Sequence, residues 1–395
     1  MKRMYLLVCV SLLCACTKSS GGGNSSNNNA TLPAITITGV TQARVKTNSL
    51  YRFYVDLNTA ATQTISVDFT TVSGTAVAGK DFTQQNGTLT IATGQVETFV
   101  DITVQGDSLR QSDLQFFVQL SNPKNATLTT SKATGTIVNQ DNSYLPTDNT
   151  GYTTPTTYTG YHLAWSDEFN GSALDEQSWN YETGGGGWGN NELEYYTSSP
   201  KNIFLSNGNL IIEARKETMG TNNYTSARIN TSGKKQFQYG RIDIRAKLPV
   251  SSGMWPALWM LGSNLSTVGW PACGETDIME LIGKNPNQVV GSIHWKQQNA
   301  SEGTYNNVYN AAQDFSQQFH VFSEIWDVNS VKLLVDDQVY VTATDQNVTS
   351  GTYPFNNPFF FIFNVAVGGD WPGTPDATTT FPQRMFVDYI RVFQK

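Results

Sequence analysis

The chain has 395 residues, 14% of them charged and 12% aromatic, and carries a formal net charge of −7. That length accommodates two domains with cores of their own, and the composition is that of a folded β protein, not a disordered or coiled-coil chain. The acidic balance excludes a phosphate-binding face for nucleic acid, and no His-Glu-x-x-His helix, Gly-x-Ser-x-Gly elbow or phosphate loop supports zinc-protease, serine-hydrolase or nucleotide chemistry.

Lys2 and Arg3, followed by the apolar run from Tyr5 to Leu13, read as a secretion signal too short to span a membrane permanently. The end of that run, Leu13-Cys14-Ala15-Cys16, resembles a bacterial lipobox. The resemblance implies removal of residues 1–15 and lipidation of Cys16. Thr17 gives no inner-membrane retention signal of the Asp type, so the expectation is an outer-membrane lipoprotein on the surface of a Gram-negative cell. Residues 16–33, rich in Ser, Gly and Asn, form a flexible tether. Loss of Cys9 and Cys14 leaves Cys273 as a lone thiol, which excludes an internal disulfide; without a paired base it reads as a packing residue.

Residues 34–141 show short strand signals at 64–70, 88–91, 97–104, 115–120 and 133–138, the pattern of an all-β sandwich. The stretch Ser73-Gly74-Thr75-Ala76-Val77-Ala78-Gly79-Lys80-Asp81-Phe82, then Gly87-Thr88-Leu89-Thr90, Leu120-Ser121-Asn122-Pro123 and Gly135-Thr136-Ile137-Val138-Asn139, resembles a Calx-β domain. Such domains can bind calcium through clustered acids. Gln111, Ser112, Gln115 and Gln140 stand where acids are usual, so a spacer or docking module with weak or absent calcium binding is expected. Residues 142–160, with Pro146 and Pro155, read as a linker.

A second domain occupies residues 161–395 and holds all nine tryptophans, from Trp165 to Trp371. Strand signals recur at 210–217, 240–248, 331–343 and 385–393, and the run 358–367 is apolar on both faces, as a strand buried inside a sandwich should be. Helical periodicity is scarce. An antiparallel two-sheet jelly roll follows, with one sheet curved to make a cleft.

The chemistry concentrates in Gly274-Glu275-Thr276-Asp277-Ile278-Met279-Glu280-Leu281. Side chains alternate along a strand, so Glu275 and Asp277 share a face while Glu280 falls on the other. A β-bulge near Ile278-Met279 would return Glu280 to the face of its partners, and bulges sit beside active sites for that purpose. Two carboxyls about 5 to 5.5 Å apart suit retaining glycoside cleavage, one as nucleophile and one as acid. Between them, the charge of Asp277 would raise a neighbouring carboxyl and keep it protonated.

Around that strand, Trp165-Ser166-Asp167-Glu168-Phe169, Gly187-Trp188-Gly189-Asn190-Asn191-Glu192-Leu193-Glu194-Tyr195-Tyr196-Thr197, Ser226-Ala227-Arg228-Ile229, Gly253-Met254-Trp255-Pro256-Ala257-Leu258-Trp259-Met260, Gly368-Gly369-Asp370-Trp371-Pro372-Gly373 and Val387-Asp388-Tyr389-Ile390-Arg391-Val392 follow in order. Together they resemble glycoside hydrolase family 16, nearest its laminarinase-type endo-β-1,3-glucanases. The resemblance implies a concave, concanavalin-like β-jelly roll behind an immunoglobulin-like β-sandwich, and a retaining mechanism with Glu275 as nucleophile, Glu280 as acid/base and Asp277 assisting. Thr276 replaces the usual aliphatic residue, which is tolerable because its position faces away from the cleft. Trp255 and Trp259 would line the glycone side, Arg228, Asn202 and His294 would offer hydrogen bonds, and Trp371 would be a further platform. A structural calcium away from the cleft would take Glu168, the carbonyl of Gly208 and Asp388. Catalysis needs no cofactor. The expected protein is a monomeric, lipid-anchored hydrolase of internal β-1,3 bonds in laminarin-like glucans. Its rivals are a mixed-linkage β-glucan or red-algal galactan specificity, and a surface protein that binds sugar without turnover.

Overall fold

The computed structural model describes residues 32–139 and 144–395. The signal peptide, Cys16, the tether up to residue 31 and the first residues of the linker lie outside the described residues. Residues 34–138 form two sheets face to face. One orders Glu97–Val104, Ser49–Leu57, Ala34–Ile37 and Thr127–Leu128; the other orders Val40–Ala43, Lys132–Val138, Leu114–Lys124, Ile65–Ser73 and Asn86–Ile91. Ser49–Leu57, absent from the strands expected, alternates cleanly: Tyr51, Phe53, Val55 and Leu57 are buried while Leu50, Arg52 and Tyr54 are exposed. The buried set meets Phe82 and Phe116 in the core of this sandwich.

The larger domain stacks a seven-stranded sheet on an eight-stranded one. The first orders Asn180–Glu182, Arg228–Asn230, Phe359–Val367, Met254–Gly262, Glu275–Glu280, Gln288–Lys296 and Glu302–Asn310. The second runs from Ile203–Ser206 and Asn209–Ala214 through Gln383–Gln394, Gly240–Lys247, His320–Asp327 and Ser330–Val335 to Gln338–Thr344, and His162–Asp167 also pairs with Gln383–Gln394. Between them lies one apolar core that includes Ile242, Ile244, Met254, Leu258, Ile278, Met279, Phe361, Phe363 and Val392. All nine residues of Phe359–Val367 are buried, because the strand sits centrally in its sheet with the core behind it and the cleft floor in front.

Two expectations are corrected. The segment 331–343 is a hairpin, not one strand: Asp336 and Asp337 adopt φ of 49° and 62°, the consecutive left-handed pair that reverses a β-ribbon in two residues. The linker is also packed in place. Alternation turns Arg241, Asp243 and Arg245 away from the core, yet all three are buried, because part of residues 144–160 lies across them. Arg245 donates to the carbonyls of Tyr152 and Asn149 at 2.6 and 2.7 Å, the Tyr158 hydroxyl donates to Asp243 at 2.7 Å, and the Thr154 N–H donates to the Tyr389 hydroxyl at 3.1 Å.

Candidate active site

The acid strand Glu275–Glu280 pairs with Met254–Gly262 on one side and Gln288–Lys296 on the other. Opposite Met254–Gly262, Leu258 pairs with Met279 and Trp259 with Asp277, so Ile278 is the extra residue of a bulge. The bulge has the consequence its spacing demands. Glu275, Asp277 and Glu280 all line one cleft, while Ile278 and Met279 enter the core. Gly274 starts the strand at a φ of +82°, and a Cβ there would meet Pro354 Cγ at 2.7 Å, so only glycine fits the turn that launches Glu275.

The cleft encloses about 330 Å³ and is walled by Trp188, Trp255, Trp259 and Trp270 with Arg228, Glu192 and Asn364 between them. Each catalytic-strand glutamate has its own indole: Trp270 Nε1 donates to Glu275 Oε2 at 2.8 Å and Trp255 Nε1 to Glu280 Oε1 at 2.9 Å. Arg228 is sandwiched, its Cζ 4.9 Å from the ring centres of both Trp188 and Trp259, and its Nε donates to Glu182. Trp259 Nε1 donates to Asn364 Oδ1 at 2.8 Å, and Asn364 donates onward to the Tyr196 hydroxyl at 3.2 Å. Trp371 stands edge-on to Trp255 with ring centres 5.4 Å apart and is part-exposed, extending the aromatic surface outward.

Electrostatics follow from three acids in a confined space. Burial, then the charge of Asp277, pushes the Glu280 carboxyl up to about 8, against the pull of the Trp255 N–H. The same two causes, in the same order, raise Glu275 well above the ordinary carboxylate range, opposed by His294 and the Trp270 N–H. His294 Nε2 lies 2.9 Å from Asp277 Oδ2, and Nδ1 faces Glu302. Burial would lower this imidazole, but Asp277, Glu275 and Glu302 overcome it and hold it up to about 10, so the ring is a cation at neutral pH. Acids this closely coupled share their protons, so one glutamate can remain protonated while its partner is charged.

Of the residues read from the sequence, Glu275, Asp277, Glu280, Trp255, Trp259 and Arg228 meet in the cleft, with His294 against Asp277 and Trp371 against Trp255. Asn202 does not. It is 1% exposed, and its side chain accepts from Thr197 and donates to the Glu213 carbonyl and Thr225, so it ties its turn to two strands and is shut away from a sugar. Trp295 is core, donating to the Ser350 carbonyl. The residues expected to hold calcium are engaged otherwise: Arg391 grips both oxygens of Glu168 at 2.8 and 2.7 Å, and Arg245 donates to Asp388 at 2.7 Å. A dication would have to displace two guanidinium groups, so this donor set does not fit calcium. Sequence reasoning missed Trp270, Glu192 and Asn364. Trp270 lies in a turn whose sequence has no period that would place it beside Glu275.

Comparison with known proteins bears on the same residues. The profile of the Calx-beta domain matches residues 37–141, and that of Glycosyl hydrolases family 16 matches residues 191–391. A beta-glucanase from Rhodothermus marinus is 42% identical over 248 residues, which cover 59% of this chain and 85% of that protein. Glucan endo-1,3-beta-glucosidase A1 from Niallia circulans is 39% identical over 263 residues, 60% of this chain, but the chain spans only 38% of its length. Among solved structures, the laminarinase catalytic domain from Thermotoga maritima MSB8 superposes with a TM-score of 0.56 at 47% identity, covering 60% of this chain and 98% of that one. A profile spanning half of the chain, through the bulged acid strand and Trp255, Trp259 and Trp270, shows that the chain belongs to glycosyl hydrolases family 16.

Proposed function

We propose that this chain is an endo-acting, retaining β-1,3-glucan hydrolase working on laminarin-type polysaccharides. The observation that carries the reading is the bulge at Ile278, which turns Glu280 onto the face of Glu275 and Asp277 in a tryptophan-walled cleft. Indole faces stack on the apolar C–H surface of a glucose ring, and Arg228, Glu192 and Asn364 supply the polar partners its hydroxyls need. The relatives named for endo-1,3-glucan cleavage support β-1,3 bonds as the target.

In the first step the Glu275 carboxylate attacks the anomeric carbon while protonated Glu280 gives its proton to the departing glycosidic oxygen, leaving a glycosyl ester on Glu275. In the second, the Glu280 carboxylate takes a proton from water, the water oxygen attacks the same carbon, and Glu275 departs as carboxylate. Asp277, 2.9 Å from His294 Nε2, lies between the two glutamates and helps to sustain the proton on Glu280. Glu275→Ala and Glu280→Ala, each assayed with azide, should give glycosyl azides of opposite anomeric configuration. Wild-type hydrolysis by either variant ends the assignment. Laminarin, lichenan, agarose and carrageenan assayed side by side separate β-1,3-glucan from mixed-linkage and galactan substrates, and no reducing sugar from any of them would mark a binding protein. Cys16 anchors the enzyme in the outer membrane of its cell, as a monomer; loss of labelled acyl chains from a Cys16→Ser variant tests the anchor.

A further inference from the structure

In the first domain the Arg44 guanidinium lies 2% exposed between two aspartates, 2.9 Å from Asp81 Oδ1 and paired with Asp107 Oδ2. Asp81 also receives the Val77 N–H at 2.8 Å. Asp107 organises the loop that follows it: its carboxylate accepts from the Leu109 N–H at 3.1 Å and from Gln111 Nε2 at 3.0 Å. That loop carries Arg110, which leaves its own domain. Arg110 Nε donates to Glu213 Oε2 at 3.1 Å, its Nη2 donates to the Lys201 carbonyl at 2.7 Å, and its guanidinium lies over the Phe204 ring at 3.9 Å. Glu213 is fully buried in the larger domain, where Arg384 and Arg215 also bind it; burial would raise its carboxyl, but Arg384 and Arg110 hold it below the ordinary range. Beside this contact the Arg110 N–H donates to the Tyr144 carbonyl at 2.7 Å, the Tyr144 hydroxyl to Asn207 Oδ1 at 2.8 Å, and the Leu145 N–H to Ser206 Oγ at 3.0 Å.

We infer that residues 107–110 are a clasp locking the first domain onto the back of the hydrolase domain, and that the Arg44 side chain is its permanent cation, in the place where a divalent ion would otherwise bridge Asp81 and Asp107. Two carboxylates on either side of one buried guanidinium, Asp81 buried and Asp107 part-exposed, are neutralised by positive charge that the chain itself supplies. The domain is therefore a calcium-independent docking module. A buried, multiply paired Arg110 and Glu213 join the two cores, so they unfold together. The strap of residues 144–160, packed on the hydrolase domain, adjoins the same junction through Tyr144 and Leu145.

The test is calorimetry of the full chain, with and without calcium chloride or a chelator. Wild type should melt in one transition that neither addition moves. Arg110→Ala should melt in two, with laminarin hydrolysis unchanged and no response to calcium; Glu213 keeps Arg384 and Arg215, so this variant still folds. Arg44→Ala should also melt in two, and calcium should reunite them by filling the vacated space between the aspartates. Where Arg44→Ala yields no folded protein, Asp107→Asn reads the same link and should part the transitions. A single unshifted transition in Arg110→Ala overturns the clasp. An Arg44→Ala protein whose melting is indifferent to calcium overturns the role of Arg44.

Discussion

Trp270 lies outside the acid strand, yet its indole N–H donates to Glu275 Oε2 at 2.8 Å. The bond stabilises the charged form of that carboxyl, whose ionisation burial and Asp277 oppose. Trp270→Phe keeps a ring and removes the donor. A hydrogen bond to a charged group is worth roughly 1.5–3 kcal/mol, so kcat/KM should fall about 10- to 100-fold. Its acidic limb should also move to higher pH, because Glu275 then holds its proton longer. A pH series of kcat/KM on laminarin decides this, and a limb that stays in place refutes the role of the N–H.

The alkaline limb belongs to Glu280, held up to about 8 by burial and then by Asp277. Asp277→Asn removes a negative charge, which makes Glu280 easier to ionise and brings the limb to lower pH, by on the order of one pH unit. The His294 pKa should fall in the same variant, since Asp277 is its first support. Titration of the imidazole by NMR reads that second change independently of turnover.

How much of this was readable beforehand varies with the physics involved. The acid trio was legible because carboxylates among buried apolar residues demand a reason, and because a period of two shows where one residue too many must be inserted. The all-β sandwich pair was legible from alternation, as at Ile242, Ile244 and Ala246. Trp270 was not: it sits after the short helix Leu265–Val268, in a turn without period, and only the chain's return brings it to Glu275. Asn202 was misread because polarity alone does not distinguish a buried cross-link from a sugar ligand. The strap over Arg241, Asp243 and Arg245 was hidden for a related reason, since outward-facing charges look solvated until something is found lying on them.

Behind the acid strand, Glu324 is 1% exposed, and burial pushes its carboxyl up to about 8, with Thr276 lowering it and Asp277 raising it. In the unfolded chain it ionises near its ordinary value of 4.5. Between those two values the unfolded state sheds a proton that the folded state keeps, so stability declines as pH rises from about 4.5 and the loss is complete above about 8. At the upper limit the penalty is on the order of 5 kcal/mol. Glu324→Gln does not ionise, so it should raise Tm at pH 8.5 by at least about 5 °C relative to wild type and change little at pH 4. Equal effects at both pH values would show that the carboxyl is not held neutral.

Removing divalent ions gives the last prediction. Arg391 binds both oxygens of Glu168, and Arg245 binds Asp388, so guanidinium groups engage the carboxylates at the back of the hydrolase domain. Treatment with a chelator should leave Tm and laminarin hydrolysis unchanged, and elemental analysis should find no stoichiometric calcium. Arg391→Ala leaves Glu168 without its bidentate partner and should lower Tm by several degrees, since a paired carboxylate of this geometry contributes about 1–3 kcal/mol. A chelator-dependent fall in Tm of the wild-type chain, restored by calcium, would reinstate the ion at Glu168, Gly208 and Asp388 and make the arginine contacts secondary.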